Sequence, residues 1–264
     1  MPTTSVRWDP QQYAAYADER ARPFFELLAR VDVADAGDVV DLGCGPGGLT
    51  ATLLQRWPGA RVIGVDSSAD MVAEADQHAV EGSLSFVHAD VAGWQPDDQV
   101  DVVVANAVLQ WVPGHLQLLP RIAAWLRPGG VLAFQVPDNF DEPSHTLLRD
   151  LRTSARWGSE LGEGADRGAG VERPETYLET LLGLGLHADV WQTTYLHVLS
   201  GDDAVLEWVK GTALRPVLSS LRSEQDRDEF LSDYAAALRA AYPAQSWGTL
   251  FPFRRTFAVA RRKA

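Results

Sequence analysis

Three aspartates, each at the end of an apolar run, are the residues whose spacing could do chemistry in this chain. Asp41 ends the run that begins at Val39, and a glycine-dense turn over residues 43–48 follows it at once. Asp66 and Asp90 end two later apolar runs. A strand, a glycine turn and a helix in succession bring bare backbone close to a ligand at the mouth of a parallel sheet. The pattern therefore predicts a polar ligand site at strand ends.

The glycine pattern limits the choice of ligand but leaves two classes of ligand open. Gly43, Gly45 and Gly48 satisfy G-x-G-x-x-G, which fits a dinucleotide such as NAD. A pyrophosphate prefers the positive potential of a helix N-terminus, and Asp41 directly before the glycines works against it. The same acid would attract a cationic amine. A ligand with a free amino group and no phosphate, such as S-adenosyl-L-methionine (SAM), therefore fits better than NAD.

Strands alternate with helices through the first half of the chain. The apolar runs predict five strands, at residues 39–42, 61–66, 84–90, 100–106 and 131–136. Ser67 can cap a helix that runs through Ala75, and another helix is predicted over about residues 115–126. Such alternation is typical of an α/β fold with a Rossmann-like, mostly parallel sheet that has helices on both faces.

After Pro137 the alternation stops and helices dominate. Strand-forming residues return at 190–199 and at 256–261, and we expect the last strand to run antiparallel. Helices are predicted over residues 143–157, from Pro174 to about 183, and over 203–241. A glycine-rich segment, 158–170, is predicted to be a mobile loop.

These elements predict one domain over residues 1–264. We expect residues 8–30 to form an N-terminal helical cap of two short helices, the second opening near Pro23. The helical insertions at 142–185 and 203–243 are expected to form a lid over the ligand edge of the sheet.

The composition excludes several classes of protein. A chain of 264 residues with a net charge of -13 lacks the basic face of a nucleic-acid binder, and no apolar run is long enough to span a bilayer. The single cysteine, Cys44, excludes an internal disulfide, and the six histidines show no metal-binding spacing. We therefore expect a cytoplasmic monomer without a metal, whose partner is a small molecule.

The string Asp-Leu-Gly-Cys-Gly-Pro-Gly at 41–47 resembles motif I of the class I SAM-dependent methyltransferases. Asp66 lies where that class holds the ribose hydroxyls, Asp90 where it contacts adenine, and residues 106–111 resemble the segment after its fourth strand. The resemblance implies SAM as the cofactor. It also implies cofactor contacts from Asp41, Gly43, Gly45, Asp66, Ser67, Met71, Asp90, Val91, Asn106 and Gln110.

Segments along the whole chain limit the resemblance to one family within that class. The strings Trp-Asp-Pro at 8–10, Val-Pro-Asp-Asn-Phe at 136–140, Trp-Gln-Thr-Thr-Tyr-Leu-His at 191–197 and Phe-Pro-Phe-Arg-Arg at 251–255 resemble parts of the trans-aconitate methyltransferases. That family methylates a carboxylate of trans-aconitate to give a monomethyl ester. The resemblance therefore implies a carboxyl O-methyltransferase of the trans-aconitate 2-methyltransferase type, acting on a small polycarboxylate.

A polycarboxylate acceptor needs cations and hydrogen-bond donors. Arg254 and Arg255 are candidates, because arginine binds carboxylates in a bidentate manner and this chain is short of positive charge. Neighbours on a strand point to opposite faces, so one arginine should face the site, and we favour Arg255. Tyr195 and His197 share one face of their predicted strand and Thr194 takes the other; all three could donate hydrogen bonds to carboxylates.

Two further residues could reach the ligands. Arg22, beside the predicted helix break, could bind a carboxylate of the cofactor or the substrate, and Trp111 could pack beside the methyl donor. Since a carboxylate is ionised at pH 7, the reaction needs no general base, and we expect positioning by Tyr195, His197 and Arg255 rather than a catalytic residue. Three alternatives stay open: a methyltransferase for another small molecule, an NAD-dependent oxidoreductase, and a SAM-binding module without catalysis.

Overall fold

A seven-stranded sheet organises the computed structural model, which describes residues 17–161, 170–210 and 214–264. Its strand order is β3-β2-β1-β4-β5-β7-β6. The last strand of the chain, β7, is antiparallel to both of its neighbours, while the other pairs are parallel, as the sequence predicted. The strands are β1 Asp38–Leu42, β2 Arg61–Asp66, β3 Leu84–His88, β4 Val100–Asn106, β5 Leu126–Pro137, β6 His187–Leu199 and β7 Thr249–Arg261.

Helices cover both faces of the sheet. The helices are α1 Ala17–Leu28, α2 Gly48–Arg56, α3 Ala69–Ala75, α4 Leu119–Trp125, α5 Pro143–Thr153, α6 Gly158–Leu161, α7 Pro174–Gly183, α8 Ala204–Lys210, α9 Arg215–Ser220 and α10 Glu224–Ala241. Short 3-10 helices lie at Asp76–His78, Leu109–Trp111 and His115–Leu118. No helix within the described ranges is long and apolar enough to cross a membrane.

The central strands are rich in valine because both of their faces are buried. In β4 the side chains of Val102 and Val104 face one side and those of Val103 and Ala105 the other, and all four are fully buried. Phe24 of α1 belongs to the core layer that includes Val102 and Val104. The opposite layer includes Val103 and Ala105 and is covered by α4 and α7.

A third apolar cluster joins the two predicted insertions. Trp208 of α8 and Tyr234 of α10 pack with Leu148 of α5. The same cluster includes Phe251 and Phe253, which lie where β7 pairs with the end of β6. Helices α5, α6, α8, α9 and α10 therefore gather at the edge of the sheet where β6 ends, whereas α7, the last helix of the first insertion, packs on a face of the sheet. Residues 162–169 and 211–213 of the insertions lie outside the described residues.

The N-terminal expectation of two short helices is wrong for the described part. One helix, α1, runs from Ala17 through Pro23 to Leu28. A proline inside a helix removes one backbone hydrogen bond, and burial of Phe24, Leu27 and Leu28 offsets that loss. The expected cap over residues 8–16 lies outside the described residues.

Several other boundaries differ from the expectation, and the reason is identifiable for two of them. Strand β5 starts at Leu126 because a register shift opposite β4 accommodates the Pro-Gly-Gly segment, 128–130, inside the strand. Strand β7 starts at Thr249 rather than 256, since Pro252 lies where only β6 pairs with β7. Helix α5 ends at Thr153, and Gly158–Leu161 of the expected loop is helical.

One expected strand is also shorter than predicted, and one expected helix is divided. Strand β3 ends at His88, so Asp90 lies beyond it. The helix expected over 203–241 is divided into α8, α9 and α10.

A carboxylate fastens the start of β1 to β4 at the edge opposite the glycine turn. The Oδ2 atom of Asp101 accepts hydrogen bonds from the backbone N–H groups of Gly37 and Asp38, at 2.8 and 2.9 Å, and from Arg127 at 2.7 Å. Burial alone would raise the pKa of Asp101, but these hydrogen bonds and the Arg127 charge hold it below its ordinary value.

Replacing Asp101 by asparagine tests this fastening. The neutral amide keeps the shape but loses the charged bond to Arg127, so we expect the free energy of unfolding at pH 7 to fall by roughly 1–3 kcal/mol. Because the folded-state pKa is lowered, this stabilisation is complete above the ordinary pKa and disappears as the pH falls through the folded-state value. Urea denaturation between pH 7 and pH 3 should therefore show a shrinking difference.

The exposed Asp35, in the loop before β1, provides the matched control. Asp35→Asn should follow wild type throughout the series. If the free energy of unfolding of Asp101→Asn were lower than that of wild type by the same amount at every pH, the charge of Asp101 would not contribute to the fastening.

Candidate functional site

The glycine turn after β1 approaches its surroundings closely at two positions and faces open space at a third. Gly43 and Gly47 have left-handed φ angles of 71° and 79°, and a Cβ atom would lie 2.5 Å from Val108 at Gly43 and 2.8 Å from Ala75 at Gly47. At Gly45, with φ 56°, an added Cβ would meet nothing within 4 Å. The turn is thus held by packing on both sides while Gly45 leaves room for a ligand.

By this geometry, the third glycine that the turn requires is Gly47 and not the Gly48 of the sequence motif. Gly48, which completes G-x-G-x-x-G, begins α2 and has ample space, with His78 3.9 Å from an added Cβ. Gly47 is the glycine whose backbone and packing exclude a side chain. The alternative spacing G-x-G-x-G was visible in the sequence and was the signal for it.

Asp66, at the end of β2, ties the glycine turn to α3. Its Oδ2 atom accepts from the backbone N–H of Gly45 at 2.9 Å, and its Oδ1 atom accepts from that of Ser68 at 2.9 Å. Ser68, not Ser67, caps α3, because its hydroxyl is the one that accepts from the Met71 N–H. Ser67 is exposed at the strand end, and the Met71 side chain is buried.

Asp41, near the end of β1 and directly before this turn, is buried. Its side chain is 3% exposed, and its Oδ2 atom accepts a hydrogen bond from the Thr50 hydroxyl at 2.6 Å. Burial raises the pKa of Asp41 to about 7; the Thr50 hydrogen bond opposes that rise and the charge of Asp66 adds to it. The carboxyl group therefore changes its charge near neutral pH.

The ends of β3 and β4 complete this edge. Asp90 is exposed and accepts from the Ala92 N–H at 2.8 Å, while Val91 is buried in the core. After β4, Ala107 has a φ of 56°, a strained value for a residue with a side chain. The Nε2 atom of the buried Gln110 donates to the Ala107 carbonyl at 2.6 Å, and its Oε1 atom has no hydrogen-bond partner within the described ranges.

A row of hydrogen-bonded side chains leads from this edge across three neighbouring strands. Gln135 in β5 is fully buried; its Nε2 atom donates to Asn106 Oδ1 at 2.7 Å, and its Oε1 atom accepts from Arg255 Nη1 at 3.0 Å. Arg255 is 4% exposed. Sequence reasoning missed Gln135, although a single polar residue inside an apolar strand is a recognisable signal.

The register of β6 and β7 sorts the predicted acceptor residues by face. Arg255 lies directly opposite Thr193, so it shares a face with Tyr195 and His197, whose rings stack with centroids 6.1 Å apart. Thr194 and Arg254 lie opposite each other on the other face, where Arg254 Nε donates to the Asp138 carbonyl at 2.8 Å. The arrangement therefore does not support the prediction that Thr194 and Arg254 share a site with Arg255.

Both strands also extend past the end of β5. The pairing of β5 with β7 ends at Pro137 and Arg255, whereas the pairing of β6 with β7 continues to Leu199 and Thr249. Tyr195 and His197 therefore lie on a two-stranded extension beyond the edge at which β1, β2 and β4 end.

An acidic residue that sequence reasoning did not single out contacts two of the predicted residues. Glu26 Oε2 accepts a hydrogen bond from the Tyr195 hydroxyl at 2.5 Å, and Glu26 Oε1 accepts from Arg22 Nε at 2.7 Å. The Arg22 guanidinium lies 5.0 Å from the centre of the Tyr195 ring. The i,i+4 spacing of an arginine and a glutamate on a helix was the sequence signal. Trp111, after β4, is 40% exposed.

A family profile and the curated relatives agree on one class of enzyme. A family profile described as "Methyltransferase domain" matches residues 39–130. A trans-aconitate 2-methyltransferase of Streptomyces avermitilis is 52% identical over 270 residues and covers 100% of both chains. A trans-aconitate 2-methyltransferase of Azoarcus sp. is 48% identical over 99% of this chain and 100% of the relative.

Solved structures show the same fold at low identity. A putative methyltransferase from Bacillus halodurans C-125 is 12% identical, with a TM-score of 0.59, over 92% of this chain and 100% of that chain. The Haemonchus contortus phosphoethanolamine N-methyltransferase 2 in complex with S-adenosyl-L-methionine is 17% identical, with a TM-score of 0.54, over 92% and 53% of the two chains.

Thr50→Val tests the buried contact of Asp41. The variant keeps the side-chain shape but removes the hydrogen bond that stabilises the ionised carboxylate, so the folded-state pKa of Asp41 rises above about 7. Below that pH both proteins hold the proton; above it the variant is less stable than wild type, by up to about 1.4 kcal/mol at pH 8. Urea denaturation at pH 6 and pH 8 measures the difference.

Thr52→Val is the control in the same helix, because the Thr52 hydroxyl only donates to the Leu49 carbonyl one turn away. It should show no such pH dependence. If Thr50→Val lost the same stability at both pH values, Asp41 would not titrate near neutrality.

Proposed function

Because the chain belongs to the trans-aconitate 2-methyltransferase family, we propose that it transfers the methyl group of SAM to a carboxylate of trans-aconitate, giving a monomethyl ester. The observation that carries the proposal is the buried guanidinium of Arg255. It shares a sheet face with Tyr195 and His197 and is hydrogen-bonded to Gln135, a neutral side chain. A guanidinium on this face can form paired hydrogen bonds with a carboxylate of an anionic acceptor.

The glycine edge supports the SAM half of the proposal. Gly45 faces open space, and the two Asp66 oxygens each accept one backbone hydrogen bond, which leaves lone pairs for ribose hydroxyls. Gln110 Oε1 is a buried acceptor that lacks a partner in the described part of the chain. Asp41 would act on the amino group of SAM through its charge. We assign the other cofactor contacts to Gly43, Ser67, Met71, Asp90, Val91 and Asn106.

The chemistry requires positioning rather than proton transfer. SAM supplies a methyl group made electrophilic by its sulfonium. The acceptor carboxylate is ionised at pH 7, so its oxygen forms a bond to the methyl carbon while the C–S bond breaks and its electron pair stays on sulfur. No proton moves in this step. The protein must therefore hold the oxygen in line with the methyl carbon at near-attack distance, which is the work we assign to Arg255, Tyr195 and His197.

Water exclusion is the second requirement, since a hydrated carboxylate is a weak nucleophile. Helices α5, α6, α8, α9 and α10 gather where β6 ends, which supports the proposal that the insertions at 142–185 and 203–243 contribute a lid. Arg22 on α1 and Trp111 after β4 would border the same space. Every residue in this scheme comes from one chain, so we propose that a monomer suffices.

The pH dependence of SAM binding tests the role of Asp41. Its carboxyl has a pKa of about 7 and attracts the cationic amine only when ionised, so SAM affinity should rise from pH 6 to about pH 7.5. Above about pH 8 the α-amino group loses its charge and affinity should fall again. Calorimetric titration across this range should give a bell-shaped profile.

Asp41→Asn should weaken SAM binding at pH 7.5 and remove the rising limb. A rising limb that survives in the variant would assign the titration to another group.

Arg255→Gln tests acceptor binding. Loss of the charged hydrogen bonds should raise the KM for trans-aconitate by roughly 10- to 100-fold and leave the Kd for SAM nearly unchanged. Ester formation by the wild-type chain, followed by mass spectrometry with trans-aconitate, cis-aconitate and citrate, comes first, and no ester from any of them would contradict the proposed function.

Arg254→Gln is the matched control. It removes the same charge one residue away, on the opposite face of β7, and should leave KM close to wild type. Equal effects of the two variants would contradict the assignment of Arg255, and parallel losses of acid and SAM binding would indicate a folding defect.

A further inference from the structure

We propose that Glu26 is an internal competitor: its carboxylate occupies Arg22 and Tyr195 in the resting enzyme and must leave before a substrate carboxylate can bind them. The inference rests on the proposed function, because only a carboxylate acceptor would compete with Glu26 for the same donors.

The Glu26 carboxylate is bound by a hydroxyl and a guanidinium, the kinds of donor that bind a carboxylate ligand in proteins. One oxygen accepts from the Tyr195 hydroxyl at 2.5 Å, and the other accepts from Arg22 Nε at 2.7 Å. Charge-assisted bonds of this kind are strong for any carboxylate that reaches the donors. Arg22 and Tyr195 are thus a ready-made subsite that the chain fills itself.

The donors and the competitor differ in mobility. The Tyr195 residue is 2% exposed, its ring stacks on that of His197 and contacts the tilted ring of Phe257, and its hydroxyl is therefore fixed. The Glu26 side chain is 40% exposed and that of Arg22 65% exposed. Glu26 can therefore rotate into solvent without a change in the backbone, and Arg22 can follow a new partner.

The subsite lies beside the cation assigned to the acceptor. Tyr195 and Arg255 share a sheet face, and the Arg255 charge acts on the Tyr195 hydroxyl. An acid with several carboxylates can engage Arg255 with one group and replace Glu26 with another. If Glu26 stayed in place, its negative charge would repel that second group.

Replacing one carboxylate by another at the same donors gives little net free energy. The Arg22–Tyr195 subsite therefore accepts only an anion that gains its affinity elsewhere, here at Arg255. The apparent Kd of any anion that uses the subsite is raised by the fraction of time that Glu26 fills it: occupancy of about 90% raises it about tenfold. Small cellular anions with a single negative charge therefore bind the Arg22–Tyr195 subsite only weakly.

Glu26→Gln tests the competition. The neutral amide binds Arg22 and Tyr195 less strongly, so the Kd for trans-aconitate, measured by calorimetry with bound S-adenosylhomocysteine, should fall about 3- to 10-fold. The Ki of acetate against trans-aconitate should fall by a similar factor, since acetate uses the same subsite. The Kd for SAM should not change.

The control is Glu81→Gln, which removes the same charge from an exposed position in the turn before β3, at the opposite edge of the sheet. It should bind both acids as wild type does. Glu26→Asp, a second variant, keeps the charge but is one methylene shorter, so it should loosen the hold on Tyr195 and lower both constants by a smaller factor.

An unchanged or raised Kd for trans-aconitate in Glu26→Gln and Glu26→Asp would overturn the proposal and make Glu26 a scaffold for Tyr195. That result differs from failure of the proposed function, in which the wild-type chain itself forms no ester from trans-aconitate.

Discussion

The burial of one positive charge constrains the whole acceptor side of the sheet. A guanidinium that leaves water must find hydrogen-bond acceptors, or the fold loses several kcal/mol. Arg255 finds one in Gln135, and this contact exists because β7 is inserted antiparallel between β5 and β6. The same insertion turns Arg255 toward the face of Tyr195.

The two halves of the site belong to one rigid unit. Gln135 also binds Asn106, the last residue of β4, and the strained turn that follows at Ala107 packs Val108 against Gly43. Arg255 and the glycine turn are thus connected through strands and buried contacts rather than through loops. Rigid support of this kind suits a reaction whose main requirement is alignment, because errors of about 1 Å are costly there.

Local patterns predicted the cofactor edge better than the acceptor side. The glycine turn and the acids that end β1 and β2 are encoded within a few residues, and the parallel sheet follows from the alternation of strands and helices. Gln135 and Glu26 could not be ranked in that way, because their partners lie 120 and 169 residues away in sequence. The length of β7 also depends on β6, which pairs with Pro252 where β5 has ended.

The charges of the site explain how an acidic chain can bind a polyanion. With a net charge of -13, the protein repels such a ligand at long range, so attraction must come from local cations. Arg22 is one such cation, and its charge is offset by Glu26 as long as that side chain stays in place. In the proposed site, an acid with several carboxylates would engage Arg255 with one group and replace Glu26 with another, so the charge of Arg22 becomes available only to a ligand that displaces Glu26.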